Sequence, residues 1–203
     1  MKKFIIGLTG QTGAGKSTVC RRLTEEYGMT SIDCDAVSRK VTSESPCVDL
    51  IAENFGEEVL LSDGSLNRKV LGKIVFSSPE MLDKLNKIVH PIIIDTVLMM
   101  ADDIESEIII FDAPTLIESG LYKRCDLIVS VTSDAVMRKK RIIKRDKITS
   151  EEAEKRIGAQ QSEHFYTKYS DISILNTKHL DDLNLKSDRL AHYIDNLRSC
   201  SIQ

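Results

Sequence analysis

The sequence predicts an α/β fold, a doubly wound parallel sheet of about five strands with helices on both faces. Short, almost continuously apolar runs recur at Phe4 to Leu8, Ile108 to Phe111, Leu127 to Val131 and Ile172 to Leu175, as strands buried on both faces require. Segments of helical period alternate with them. A glycine-rich octapeptide joins the first strand-like run to the first helix-like one.

That octapeptide, Gly10, Gln11, Thr12, Gly13, Ala14, Gly15, Lys16 and Ser17, matches GxxxxGK[ST]. It follows a predicted strand and precedes a predicted helix over Lys16 to Tyr27, with Val19, Leu23 and Tyr27 at four-residue spacing. In such a loop the glycines let the backbone turn its N–H groups inward around phosphate. Lys16 adds a point charge for the β- and γ-phosphates, and the Ser17 hydroxyl can ligate Mg²⁺. The motif places the fold among P-loop NTPases and predicts nucleotide binding over Gly10 to Thr18. Kinases, GTPase switches and mechanical ATPases share the loop. The place where a switch would carry NKxD offers only Asn176, Thr177, Lys178 and His179.

A weaker strand, Thr30 to Ile32, ends at Asp33, with Asp35 two residues on. A carboxylate there can orient an acceptor hydroxyl and take its proton, or hold magnesium through water. The alternative for both is a helix N-cap. The interval from Asp35 to Glu107 contains helix starts at Ser45-Pro46 and Ser78-Pro79 and no convincing strand. It predicts a helical insertion, within which His90 before Pro91 predicts a kink or restart. His90 is open to a packing role or a site role.

Asp112 ends the run Ile108 to Phe111, where a Walker-B-like carboxylate would stand beside the metal, and Pro114 then breaks the chain. A strand-ending turn is the other reading of Asp112. From Arg138 the basic stretch RKKRIIKRDK places Arg141 and Arg145 on one helix face. Such arginines can close over ATP; a solvated basic face or a weak RNA contact is the alternative. Thr149 to Glu152 offers a capping box, so this region reads as a second, smaller helical flap. Leu190, Ile194 and Leu197 mark a closing helix.

Composition bounds the rest. With 203 residues, 41% hydrophobic and 29% charged, the chain suits one α/β domain with appendages. A net charge of −3 gives no global attraction to nucleic acid or anionic membrane. Cys20, Cys34, Cys47, Cys125 and Cys200 are odd in number and form no CxxC pair, which fits a reduced, cytoplasmic setting. No run is long enough to span a bilayer. Neither a zinc-type His/Cys cluster nor an obligate protein partner is expected.

Together these residues resemble the dephospho-coenzyme A kinase family almost end to end. The resemblance is carried by GLTGQTGAGKST at Gly7 to Thr18, IDCDAVSRKV at Ile32 to Val41, DGSLNRKVL at Asp63 to Leu71, Val75-Phe76 and His90-Pro91. It continues in DAPTLIESGLYKRCD at Asp112 to Asp126, RIIKRD at Arg141 to Asp146, Ala159-Gln160 and SDISILN ending at Asn176. It implies a nucleotide-binding core (1–34, 105–137 and 169–203), a helical acceptor domain (35–104) and a lid (138–168). It further implies ATP with Mg²⁺ phosphorylating the 3′-hydroxyl of the ribose of dephospho-coenzyme A. Lys16, Asp33 (as base) and Arg141 would be catalytic, with Arg145 and Asn176 contacting nucleotide. Thr9, Arg68, His90, Asp112, Pro114, Leu116 and Glu118 would surround the acceptor. Three positions depart from the family pattern: Thr115 replaces an apolar residue, Tyr166 a commonly basic one, and Thr177 with Lys178 stand where glycine is usual.

Overall fold

In the computed structural model, which describes residues 3–177 and 179–201, the alternation read from the sequence becomes a five-stranded parallel sheet of order β2-β3-β1-β4-β5. The strands are β1 (Phe4–Gly10), β2 (Thr30–Asp33), β3 (Ile108–Asp112), β4 (Leu127–Thr132) and β5 (Ile172–Leu175). Each ends within two residues of its sequence-based limit. Parallel neighbours need crossovers, and most of these contain helices. The helices are α1 (Lys16–Tyr27), α2 (Cys34–Val41), α3 (Cys47–Phe55), α4 (Arg68–Val75), α5 (Pro79–Asp103), α6 (Ala135–Asp146), α7 (Ser150–Gly158), α8 (Glu163–Lys168) and α9 (Leu180–Ser201). No helix among the described residues is long and apolar enough to cross a membrane.

The chain divides into two compact units, Met1–Ile32 with Glu105–Gln203, and Asp33–Ile104. In the first, alternation along the strands sends Ile6, Leu8, Ile110, Val129, Val131 and Ile174 into a core closed by Val19 and Leu23 of α1 and Leu190 and Ile194 of α9. Each such side chain, once fully buried, contributes about 1.5–3 kcal/mol. The opposite alternation also buries Thr9, Ile109, Phe111 and Ser130, so the sheet is covered on both faces. Arg22 of α1 donates from Nε at 2.8 Å and Nη2 at 3.2 Å to the carboxylate of Asp188 on α9, fixing the pair of helices.

The second unit is helical. Ser78 caps α5 by accepting from Met81 N, with Pro79 in the first turn, as the sequence indicated. Pro46 precedes α3 as its N-cap residue. Helix α5 does not restart at Pro91 but runs unbroken through it. Val89, Ile93, Val97 and Ala101 are buried at four-residue spacing on both sides of the proline. That shared apolar stripe offsets the one missing backbone bond. Elsewhere Thr149 and Glu152 form the predicted capping box on α7.

Candidate active site

The register of the sheet brings the chemistry together. Leu8 pairs with Asp112 and Gly10 with Val131, so the loop after β1 begins between the carboxyl ends of β3 and β4. Gly10 has φ 140°, and a Cβ there would lie 2.2 Å from Val131 O. No other residue fits so close an approach. At the far end of the loop Gly15 (φ 112°) precedes α1 without a side-chain cap, and the first turn of α1 holds no acidic residue. No side-chain anion of α1 itself therefore caps the positive end of the helix, which suits a phosphate site. Lys16 Nζ donates to Asp112 Oδ1, both side chains being largely buried, while Ser17 is exposed beside them.

Behind the loop, its carbonyls are held by side chains. Asn176 Nδ2 donates to Ala14 O at 2.7 Å. Arg141 Nη1 donates to Gly13 O at 3.2 Å and to Ser133 Oγ at 3.1 Å, and its Nη2 to Asn176 Oδ1 at 3.2 Å. Asn176 is itself anchored, its N–H donating to Thr132 O and its carbonyl accepting from Ser133 Oγ at 2.7 Å. With its carbonyls held on one side, the loop keeps its amides turned to the other. Arg145, by contrast, is exposed and paired with Asp146.

The segment Gln160–Gln161, between α7 and α8, reaches the front of the loop. Gln160 Oε1 accepts from Thr12 N at 3.0 Å and from Arg138 Nη1 at 3.3 Å, and Gln11 Nε2 donates to Gln161 O at 3.2 Å. Arg138 is 5% exposed; desolvation pulls its guanidinium below its ordinary pKa, with Tyr166, Glu163 and Asp134 opposing.

Beside β3, Thr9 Oγ1 donates to Pro114 O at 3.2 Å, Leu116 is fully buried and Thr115 is exposed. Glu118 reaches the surface, yet partial desolvation still raises its carboxyl above the usual range. Tyr166, 2% exposed, is pushed up to about 12 by burial first and by Glu118 second. In the helical unit, Asp33 is the N-cap of α2, its Oδ1 accepting from Ala36 N at 2.9 Å and its Oδ2 lying 4.0 Å from Arg39. Asp35 lies in the first turn of that helix. Arg68 Nη2 donates to Arg39 O at 3.1 Å and Thr42 Oγ1 at 3.0 Å, and half-buried His90 is held below its ordinary pKa by desolvation. Lys178 lies outside the described residues.

The sequence profile of the family described as dephospho-CoA kinase matches residues 4–182. The chain belongs to the dephospho-CoA kinase family. A dephospho-CoA kinase of Fusobacterium nucleatum is 40% identical over 194 residues, covering 96% of this chain and all of that one. Among solved structures, a Thermus thermophilus protein superposes with TM-score 0.79 at 29% identity, over 95% of this chain and 98% of its own. The dephospho-CoA kinase of Campylobacter jejuni gives TM-score 0.68 at 26% identity, over 96% and 98%. These likenesses extend over nearly the whole chain, so fold and family rest on more than the phosphate loop.

Sequence reasoning placed the loop, Lys16 and Asp112, but missed three supporting parts. Ser133 and Gln161 carry no motif, because their contribution depends on which backbone groups they meet. Arg138 read as one member of a basic stripe; its distinguishing feature is burial, which a run of charges conceals.

Proposed function

We propose that the chain transfers the γ-phosphate of ATP to the 3′-hydroxyl of dephospho-coenzyme A, giving coenzyme A and ADP. The observation that carries this reading is the pairing of Lys16 with Asp112 beside the uncapped end of α1, in a chain of the dephospho-CoA kinase family. The pairing supplies both a cation for the phosphates and a carboxylate next to it. On this reading residues 35–104 bind the acceptor, 138–168 form the lid, and the enzyme works in the cytoplasm on small molecules.

The acceptor hydroxyl passes its proton to Asp33, whose Oδ2 is not used by the helix cap. Its oxygen bonds to the γ-phosphorus while the bond to the β–γ bridging oxygen breaks, and that electron pair leaves with ADP. Lys16 and the loop from Gly10 to Thr18 hold the phosphates throughout. Arg141 places positive charge within the same loop, with Asn176 and Arg145 toward the nucleotide. Thr9, Arg68, His90, Pro114, Leu116 and Glu118 line the acceptor. The exposed Ser17 hydroxyl, with Asp112 or Asp33 through water, fits magnesium, which keeps most of its ligands as water and phosphate. Magnesium would neutralise charge on the β- and γ-phosphates. Catalysis is then positioning and electrostatics, without a covalent intermediate.

A coupled ADP-release assay with dephospho-coenzyme A, AMP, CMP, adenosine and no acceptor tests this. Release dependent on dephospho-coenzyme A alone supports the reading. Release with another acceptor reassigns the helical unit, and release with none discards the kinase reading.

A further inference from the structure

Gln160 ties together three groups that no sequence motif connects. One is a phosphate-loop amide, Thr12 N–H at 3.0 Å; another is a buried guanidinium, Arg138 Nη1 at 3.3 Å; the third is the chain turn that Gln161 fastens to Gln11 at 3.2 Å. Gln160 and Arg138 border a cavity of about 400 Å³ whose lining includes Gln11, Ser133, Ser162 and Glu163. Two buried polar atoms of its lining residues, Gln11 Oε1 and Arg138 Nε, have no hydrogen-bond partner among the described residues. Gln11 and Arg138 are 6% and 5% exposed. A buried guanidinium with one N–H unpaired stays put only if its other bonds hold it, and Gln160 accepts a charge-assisted bond from Nη1.

We propose that Gln160 is a positioning residue for phosphoryl transfer, its one carboxamide oxygen setting both the Thr12 amide at the front of the phosphate loop and the Arg138 guanidinium. Because the same oxygen serves both donors, a displacement of either is felt by the other. The lid segment and the phosphate loop therefore move as one, and transfer is fastest when both are held. Gln160 touches no reacting atom; it acts through Thr12 and Arg138.

The inference rests on the phosphotransfer reading above, and the test separates the two. Gln160→Ala and Gln160→Glu are compared with the unaltered chain in kcat and KM with ATP and dephospho-coenzyme A, in ADP affinity by calorimetry, and in amide exchange at Thr12. Gln160→Ala is expected to lower kcat about tenfold, the loss of one charge-assisted bond in the transition state, with ADP affinity changed less than about twofold. Thr12 exchange should quicken. Glutamate, which still offers an acceptor oxygen, should restore most of kcat and of the Thr12 protection. Unchanged Thr12 exchange in Gln160→Ala, or ADP affinity falling in step with kcat, overturns the proposal. If the unaltered chain does not phosphorylate dephospho-coenzyme A while Thr12 exchange still responds, the functional reading fails and the tie stands.

Discussion

Lys16 on the first turn of α1 and Asp112 at the end of β3 are bonded to each other in the structure, Nζ to Oδ1. Ammonium and carboxylate are both largely out of solvent, so each is held in place by the other. On the proposed reading an incoming polyphosphate would compete with Asp112 for the lysine, and the carboxylate could then serve a magnesium site through water. Lys16→Ala removes the cation and leaves Asp112 without this partner. Turnover should fall by about a hundredfold to a thousandfold, measured as kcat/KM for ATP with saturating acceptor. Activity within about threefold of the unaltered enzyme would remove Lys16 from the mechanism.

Asp33 offers a cleaner separation of fold from chemistry. Its Oδ1 caps α2, and asparagine caps helices as well as aspartate does. Asp33→Asn should therefore melt within a few degrees of the unaltered protein and bind ATP normally. Its kcat should drop about a hundredfold or more, because an amide cannot accept the hydroxyl proton. Thermal melting, ATP titration and single-turnover rates together check this; a normal turnover rate would cost Asp33 its assignment as base.

Asn176 holds the rear of the loop through Ala14 O and Arg141, in a place with almost no water. Asn176→Ala removes the shorter of two side-chain bonds to Ala14 O, Arg141 Nη1 remaining at 3.4 Å, together with the acceptor of Arg141 Nη2, and should lower stability by about 1–3 kcal/mol, read by urea denaturation. Gly15→Ala should affect the same contact from the other side, since the new Cβ would come 2.5 Å from Asn176 Nδ2 at a φ of 112°. Both variants should raise KM for ATP more than they lower kcat.

His90 gives a pH dependence with a definite sign. Desolvation lowers its pKa in the folded state, so the unfolded chain takes up the proton first as pH falls. Above the unfolded value, about 6.5, the group is neutral in both states and contributes nothing. Below it stability declines, until the folded pKa is passed and the loss is complete. His90→Gln should lessen the fall in melting temperature between about pH 7.5 and pH 5.

Much of the fold was legible because strand burial and helix capping are written locally. The β5 run Ile172–Leu175 and the α1 span Lys16–Tyr27 match their predicted limits, and the capping box at Thr149 lies where its spacing put it. Of the kink or restart that Pro91 suggested, the restart does not occur, since proline's local cost is visible in sequence while the apolar stripe that carries α5 past it is a tertiary property. In the site, Gly10 to Ser17 declared itself because phosphate cradles need a fixed backbone path. Which of Asp33 and Asp35 capped a helix was settled only by the position of β2 and α2. Likewise the resemblance marks Gln160 without giving it a role, and Arg138 is one charge among many, until the chain returns Gln160 to Thr12, 148 positions earlier.

The most direct measurement is the identity of the product. ATP, Mg²⁺ and dephospho-coenzyme A are incubated with the enzyme, and the product is resolved by mass and ³¹P NMR. One added phosphate is expected, on the ribose 3′-oxygen, with ADP formed in equal amount and no such product from Lys16→Ala. Phosphate on any other oxygen, or ADP formed without a phosphorylated acceptor, would contradict it.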